Sequence, residues 1–282
     1  MLAHRLRGIS RHPSCAGTVA NATLALVLAV ISPAKRLDFD KECPLPSTTP
    51  PLLRETKQLS LVTRKLSAED LSKLMSLSRP LAQLNEQRFR DFKATPKPKG
   101  SAPASWAFDG DTYTGLRARE FTEEQLNYAQ EHLVILSGLY GVLRPLDAIL
   151  PYRLEMGTRL VTERGGTLYD FWGDIIARYL NQQLTKVRSD ILVNLASQEY
   201  FQAVDRRALK ARIVTPVFKE KRGNRLQIIS FSAKRARGAM ARYIVECKAA
   251  RIEQLKSFRV DGYRFQPELS DNGTLVYVRE QQ

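Results

Sequence analysis

The segment 134–156 constrains the fold most, because a largely apolar sequence there contains residues that force the backbone to turn. It includes Gly138 and Gly141 as well as Pro145 and Pro151. Glycine adopts backbone conformations that other residues resist, whereas proline ends a helix and favours an extended residue before it. The pattern predicts a buried strand or helix end that breaks into tight turns.

Two arginines in this segment allow two interpretations. In the first, Arg144 and Arg153 bind a phosphate together with backbone N–H groups of the turn. In the second, they pair with the nearby Asp147 and Glu155 and stabilise a structural turn. A Gly-x-x-Gly spacing is too common to decide between these interpretations.

The charge of the chain favours a polyanionic partner. Among its 282 residues, 44 are Lys or Arg and 29 are Asp or Glu, so the formal net charge is +15. The segment 205–264 contains seventeen Lys or Arg and five acids, and it alone carries +12. A field of this sign attracts nucleic acid or an anionic membrane surface.

A basic helix is predicted over residues 232–247, with one apolar face. Four cations fall in its first three turns: Lys234, Arg235, Arg237 and Arg242. Cations near a helix N-terminus oppose the helix dipole, and a bound anion would offset that cost. A solvent-exposed basic helix is the alternative. Gly238 inside the helix fits the close approach of another backbone or of a phosphate.

Three polar clusters follow strand ends or turns. Ligand sites in open α/β sheets gather at the carboxyl ends of the strands, so these clusters are a candidate pocket. Asp109 and Asp111 suit a tight turn, and they lack the further oxygen ligands that a metal site needs. The candidate pocket residues are Ser32, Asp109, Asp111, Tyr113, Asn194, Ser197 and Glu199, with Lys35 as an anion contact beside Ser32.

The sequence predicts no metal site and no cofactor. Its three cysteines have no metal-ligand spacing, and His132 lies in a segment with a helical pattern, where a surface histidine is expected. No settled catalytic motif identifies a reaction.

Residues 1–24 form an N-terminal extension that contains arginines and no acid. This composition is typical of an organelle transit peptide or of the start of a secretory signal, although cleavage beyond the apolar run 24–31 would remove the first predicted strand and so disfavours secretion. A dispensable or mispredicted extension is the alternative. The apolar run 24–31 is too short to span a membrane and is predicted to be the first core strand. Residues 25–282 are therefore expected to form one domain without a membrane segment.

Helical patterns alternate with short apolar strands along that domain. Helices are predicted at 52–66, 68–77, 81–92, 121–133 and 168–184, and strands at 191–195, 213–218, 226–231, 259–265 and 275–279. We expect a mixed α/β (α+β) fold, in which helices surround one compact mixed sheet.

Seven motifs in order resemble the YaaA family of peroxide stress proteins, from about residue 25 to the C-terminus. They are ISPAK (31–35), FDGDTYTGL (108–116), LSGLYGVLRPLD (136–147), PYRLEM (151–156), LYDFWGD (168–174), NLASQEYF (194–201) and ISFSAKRARGAMARYI (229–244).

The resemblance implies a cytoplasmic protein that limits oxidative damage during peroxide stress by keeping loose intracellular iron low. It also implies a basic cleft and a helix-hairpin-helix-like element, hence DNA binding. The segment 136–141 has one residue more between its glycines than helix-hairpin-helix loops usually have. Organelle import is the alternative location if residues 1–24 are a transit peptide.

The first hypothesis is therefore a DNA-binding stress protein, with a monomer favoured. Its contacts with phosphates would be non-specific or shape-selective and dependent on salt. The predicted contacts are Lys35, Arg144, Arg153, Lys234, Arg235, Arg237 and Arg242, with Gly138 and Gly141 allowing close backbone approach. The alternative is an enzyme that acts on a nucleotide or nucleic-acid base in the candidate pocket, if its three clusters meet beside the basic helix.

Overall fold

A computed structural model describes residues 26–40 and 43–280, so the predicted extension 1–24 lies outside the described residues. The described residues contain twelve strands: β1 (Leu28–Ile31), β2 (Arg36–Leu37), β3 (Ala102–Pro103), β4 (Phe108–Asp109), β5 (Leu133–Ser137), β6 (Gly141–Leu143), β7 (Ala148–Ile149), β8 (Ile191–Leu195), β9 (Arg212–Arg222), β10 (Arg225–Gln227), β11 (Arg264–Phe265) and β12 (Thr274–Glu280).

The same residues contain eleven α-helices. They are α1 (Leu53–Thr63), α2 (Ala68–Met75), α3 (Arg79–Asp91), α4 (Ala104–Ala107), α5 (Asp111–Leu116), α6 (Glu123–His132), α7 (Leu168–Trp172), α8 (Ile175–Lys186), α9 (Gln198–Phe201), α10 (Ser230–Cys247) and α11 (Ile252–Lys256). Short 3₁₀ turns cover Ala118–Glu120 and Pro267–Leu269.

The main sheet has the strand order β11-β12-β9-β8-β1-β5-β6, and β10 pairs with β9. The five strands from β12 to β5 run parallel to one another. The antiparallel strands β11, β6 and β10 add to β12, β5 and β9 respectively. Two small ribbons, β2–β4 and β3–β7, lie apart from this sheet.

The centre of the sheet is apolar because it is covered on both faces. Every residue of β1 and β5 is buried, and so are Leu192 to Leu195 of β8. Parallel strands that are covered in this way read as continuous apolar runs rather than as alternating patterns. Because β1, β5 and β8 are parallel, their carboxyl ends at Ile31, Ser137 and Leu195 lie at one edge of the sheet.

Helix α10 packs against α5 through two glycines. A Cβ atom on Gly238 would lie 1.7 Å from the backbone oxygen of Thr112, and one on Gly115 would lie 2.0 Å from the backbone oxygen of Arg235. The close approach predicted for Gly238 is therefore made by another part of the backbone. This crossing attaches the segment 108–116 to the basic helix.

The structure confirms the mixed α/β class, and most of the predicted helices are present within a few residues of their expected bounds. The predicted helix 168–184 is instead divided into α7 and α8. The division occurs at Gly173, whose φ of +46° does not fit a right-handed helix.

Two predicted strands are also corrected. The segment 226–231 is a strand only at β10, and Ser230 and Phe231 already belong to α10. Only Arg264 and Phe265 of the segment 259–265 are in a strand, because a turn with Gly262 at φ +80° precedes them. Among the described residues, no helix is long and apolar enough to cross a membrane.

Candidate functional site

Two of the three polar clusters meet at the carboxyl edge of the sheet. Ser32 follows β1 directly, and Ser197 lies just beyond the end of β8. The backbone N–H of Ser197 donates to Ser32 Oγ at 2.9 Å, and Ser32 Oγ lies 3.3 Å from Ser197 Oγ. The neighbouring parallel strands β1 and β8 bring the two serines together, although they are 165 residues apart in the chain.

The remaining cluster joins them through the two-stranded β2–β4 pair and through a tyrosine. Strand β2 pairs with β4, so that Arg36 lies opposite Asp109 and their side chains form an ion pair at 2.6 Å. The Tyr113 hydroxyl donates to the backbone oxygen of Ser32 at 3.2 Å. Asp111, in contrast, begins α5 and borders a separate cavity of about 740 Å³ on the side of Arg279.

A group of charged side chains includes Lys35, three residues after Ser32. Glu155 forms ion pairs with Lys35 at 2.8 Å and with Arg153 at 2.9 Å, which leaves this group of three with one net positive charge. Burial opposes ionisation of Glu155, but the two cations outweigh it and hold its pKa below the ordinary value. Glu199 accepts a hydrogen bond from the backbone N–H of Gly157 at 3.0 Å.

Three tyrosines complete the edge. Burial raises the pKa of Tyr113, Tyr152 and Tyr200, so their hydroxyls stay protonated at neutral pH. The Tyr152 hydroxyl lies 2.6 Å from Ser137 Oγ, at the end of β5. Sequence reasoning missed Ser137, although it ends a buried strand just as Ser32 follows one. Asn194 is buried, and its side-chain oxygen accepts from the Ala196 N–H at 3.1 Å, which holds the turn after β8.

Gly138 and Gly141 lie in the hairpin between β5 and β6, where they contact protein. A Cβ atom on Gly138 would lie 2.3 Å from the Leu154 backbone oxygen, and one on Gly141 would lie 2.5 Å from the Trp172 ring. The indole N–H of Trp172 donates to the Gly138 backbone oxygen at 3.1 Å. The segment 136–141 is therefore a turn between two strands, and no helix-hairpin-helix-like element lies at this position.

Arg144 and Arg242 make ion pairs within the protein. Arg144 contacts the fully buried Asp147 at 2.9 Å, as in the structural interpretation of this turn. Arg242 contacts Glu246 at 2.7 Å and Glu120 at 3.1 Å, and its side chain is 12% exposed. Both guanidinium groups are thus neutralised by carboxylates from the chain itself.

The remaining cations of α10 are in different surroundings. Lys234 and Arg235 are exposed, and the closest carboxylate to Arg235 is that of Asp261 at 3.6 Å. Arg237 is half-buried, burial lowers its pKa, and it has no hydrogen-bond or ion-pair partner among the described residues. It lies next to Gly238, whose contact with Thr112 places α10 beside the segment that carries Tyr113.

A second cationic region lies on α3, where sequence reasoning singled out no site residue. A cavity of about 830 Å³, here called the α3 cleft, is bordered by α3, by the loop after it and by Leu150 and Pro151. Its cationic lining residues are Arg64, Arg88, Arg90, Lys93 and Lys99, against the single acid Asp91.

Arg88 is the exceptional residue of the α3 cleft. Its side chain is half-buried, burial lowers its pKa, and it has no hydrogen-bond or ion-pair partner in the described part of the chain. Arg90, by comparison, pairs with Glu86 at 2.6 Å, and Arg64 donates to the Phe92 backbone oxygen at 2.7 Å. A half-buried cation without a partner is costly, and a bound anion would relieve that cost.

Within residues 26–40 and 43–280, no three His, Cys, Asp or Glu side chains are grouped so that they could hold a metal ion.

The chain is similar to known proteins along most of its length. The family model described as peroxide stress protein YaaA matches residues 27–269. A UPF0246 protein of Caulobacter vibrioides (strain NA1000 / CB15N) is 54% identical over 256 residues, which cover 90% of this chain and 100% of the relative. UPF0246 protein SPO0106 of Ruegeria pomeroyi is 51% identical over 256 residues, covering 91% of this chain and 100% of the relative. The chain therefore belongs to the peroxide stress protein YaaA family, which supports a role in oxidative stress.

Proposed function

We propose that this protein binds DNA through the α3 cleft as its part in the response to peroxide. The observation that carries the proposal is the unpaired, half-buried guanidinium of Arg88, in a cleft where five cations face one acid. Charges of one sign within a concave surface focus their field and attract a polyanion. The excess of positive charge over the whole chain acts in the same direction.

The helix pair α2 and α3 fits the same role. A short turn that contains Ser76, with φ at +52°, joins the two helices, and α3 contributes Arg88 and Arg90 to the cleft. We assign to this pair the helix-hairpin-helix-like element that the family resemblance implies. Phosphate contacts made in this way fix the position of a duplex without reading its sequence.

Among the cations predicted from the sequence, five remain candidates for further phosphate contacts, including Arg237, which is half-buried on α10 and whose side chain has no partner among the described residues. Lys234 and Arg235 are exposed on α10, and Lys35 and Arg153 belong to the group around Glu155, which has a net positive charge. The proposal no longer includes Arg144, Arg242, Gly138 and Gly141, because their contacts are made within the protein.

The test is a titration of a fluorescent duplex over a range of salt concentrations. A cleft variant replaces Arg88, Lys93 and Lys99 with Met, and a control variant makes the same charge change at the exposed Lys57, Arg188 and Lys210. Each lost phosphate contact should reduce the slope of log K against log salt by about 0.9. We expect a shallower slope and weaker binding for the cleft variant alone. Equal behaviour of the two variants would reject the α3 cleft as the DNA site.

We further propose that this DNA binding limits iron-dependent damage. A bound protein shields the backbone from hydroxyl radicals that form near it, so plasmid nicking by ferrous iron and peroxide should decrease with the wild type and not with the cleft variant. Equal protection by both proteins would show that protection does not depend on DNA binding through the α3 cleft.

The second candidate function is an enzyme that acts on a nucleotide or nucleic-acid base. It is supported by the convergence of Ser32, Ser197 and Tyr113 at the carboxyl edge of the sheet, with Glu155 and Lys35 nearby. Carboxylates, an amine and protonated phenols are suited to acid–base chemistry.

Incubation with nucleotides and with oxidised DNA, followed by chromatography of the released bases, tests this candidate. A product that the wild type forms and that Glu199→Gln does not form would support it. Absence of any product from these substrates would count against it.

A further inference from the structure

The segment 221–231, KRGNRLQIISF, combines cations with large apolar residues and contains no acid. It comprises the last residues of β9, the Gly223-Asn224 turn, β10 and the first residues of α10, and it is called the ribbon below. Gly223 has φ at +58°, as a tight hairpin turn requires. Strand β10 pairs only with the end of β9, and residues 221–228 are all exposed. The ribbon therefore presents both of its strands to solvent.

Three large apolar side chains on the ribbon are exposed. Leu226 is 40% exposed, Ile228 is 58% exposed and Phe231 is 64% exposed. Leu226 and Ile228 are two residues apart and so lie on the same face of the extended chain. Exposed apolar side chains that are grouped and surrounded by polar residues mark a surface for interaction.

The charge of the ribbon specifies the chemistry of its partner. Arg222 and Arg225 lie directly opposite each other in the β9–β10 pairing, and neither side chain has a hydrogen-bond or ion-pair partner among residues 26–40 and 43–280. Like charges in that position destabilise a hairpin, and a polyanion between them would remove the repulsion. Residues 221–245 contain seven Lys or Arg and no acid, and four of these cations remain after the ion pairs of Lys221, Arg235 and Arg242 with carboxylates elsewhere in the chain, so the complementary partner is anionic.

We propose that the ribbon is a wedge that enters a groove of duplex DNA, inserts Ile228 or Phe231 between base pairs and bends the duplex. This inference rests on the proposed DNA binding and adds a second contact to it. A two-stranded ribbon fits a groove of DNA, and Leu, Ile and Phe are among the residues that proteins insert between base steps. Arg222 and Arg225 contact the phosphates on either side of the inserted side chain.

An anionic membrane surface also attracts a basic, partly apolar segment, but the ribbon fits it less well. Interfacial segments bury a long apolar face, usually along an amphipathic helix. The ribbon offers three apolar side chains, of which only Phe231 is on α10.

Bending is measured by energy transfer between dyes at the two ends of a short duplex, at saturating concentrations of the full-length protein. The wild type should raise the transfer. The double variant Ile228→Ser and Phe231→Ser should abolish the rise and weaken binding about tenfold, since few residues dominate such interfaces. Its salt slope should stay unchanged, whereas Arg222→Met should reduce the slope by about 1. The control Val161→Ser, at a residue that is 73% exposed outside the ribbon, should behave as the wild type does.

All three replaced apolar residues are exposed, so thermal unfolding should show that the variants fold. A double variant that bends and binds DNA as the wild type does would overturn the inference while leaving the proposed DNA binding intact. The inference would also be overturned if the double variant weakened only the binding to vesicles of phosphatidylglycerol. Failure of the wild type to bind any duplex would overturn the proposed function as well.

Discussion

Replacing Gly238 with alanine tests the helix crossing that joins the segment 108–116 to α10. Two effects of opposite sign compete at this position. Alanine is the better helix former, and in an open helix it would stabilise the protein by about 1 kcal/mol. Here the new Cβ atom would lie 1.7 Å from the Thr112 backbone oxygen and 2.9 Å from the Leu116 backbone nitrogen.

Crowding should exceed the gain in helix propensity. The atoms that the Cβ would meet belong to the backbone of α5, so no side chain can rotate away and the two helices must separate. Overpacking of this kind costs about 3 kcal/mol, at the upper end of the usual range. The net loss of about 2 kcal/mol should lower the melting temperature by about 4–8 °C, given the sensitivity of domains of this size.

Thermal unfolding followed by circular dichroism measures this effect. Gly166→Ala is the matched control, because a Cβ atom there meets nothing within 4 Å and its φ is not positive. Its stability should stay within about 0.5 kcal/mol of the wild type. If Gly238→Ala melts at or above the wild-type temperature, the close packing of α5 on α10 is refuted.

Two further predictions concern buried charges. Arg144→Met leaves the fully buried Asp147 without its ion pair, so the free energy of unfolding measured in urea should fall by about 3–5 kcal/mol. As a control, Arg178→Met removes an exposed ion pair and should change the free energy of unfolding by at most about 1 kcal/mol. The DNA salt slope of the Arg144 variant should stay unchanged, and a shallower slope would return Arg144 to the DNA site. Because Lys35 and Arg153 lower the pKa of Glu155, its ionised form stabilises the fold above the unfolded-state pKa, and this contribution is lost as the pH falls below about 4.3. The free energy of unfolding, measured across pH 2–6, should therefore fall more steeply with acid for the wild type than for Glu155→Gln. If the two proteins lose stability in parallel as the pH falls, the ion pairs of Glu155 are contradicted.

Local signals in the sequence predicted the elements that local interactions determine. Strand β1 is a continuous apolar run, β8 is apolar except for Asn194, and the helix α6 begins after Thr122 with a capping box that involves Gln125. The placement of polar residues after those strands also made Ser32 and Ser197 candidates for one pocket, but it left open whether their clusters meet. The parallel register of the strands then brings these serines into contact.

Tertiary contacts decided what the sequence left open. Nothing local distinguishes Arg144, which pairs with Asp147, from Arg88, which has no partner among the described residues. The α3 cleft forms only when the loop after α3 and the segment around Pro151 come together, so its lining could not be read from the composition of α3 alone. Likewise, Gly238 contacts the backbone of Thr112, which lies far from it in the chain, so the sequence around Gly238 does not identify this contact.

Arg88→Met tests the DNA-binding claim most directly, because it should raise the stability of the free protein and lower its affinity for DNA. Burial lowers the pKa of Arg88, which means that the folded state disfavours its charged form, yet the guanidinium stays charged at neutral pH. Removing the charge should therefore raise the melting temperature of the free protein while it weakens binding to a duplex about tenfold. A variant that binds DNA as tightly as the wild type would contradict the account, whatever its stability.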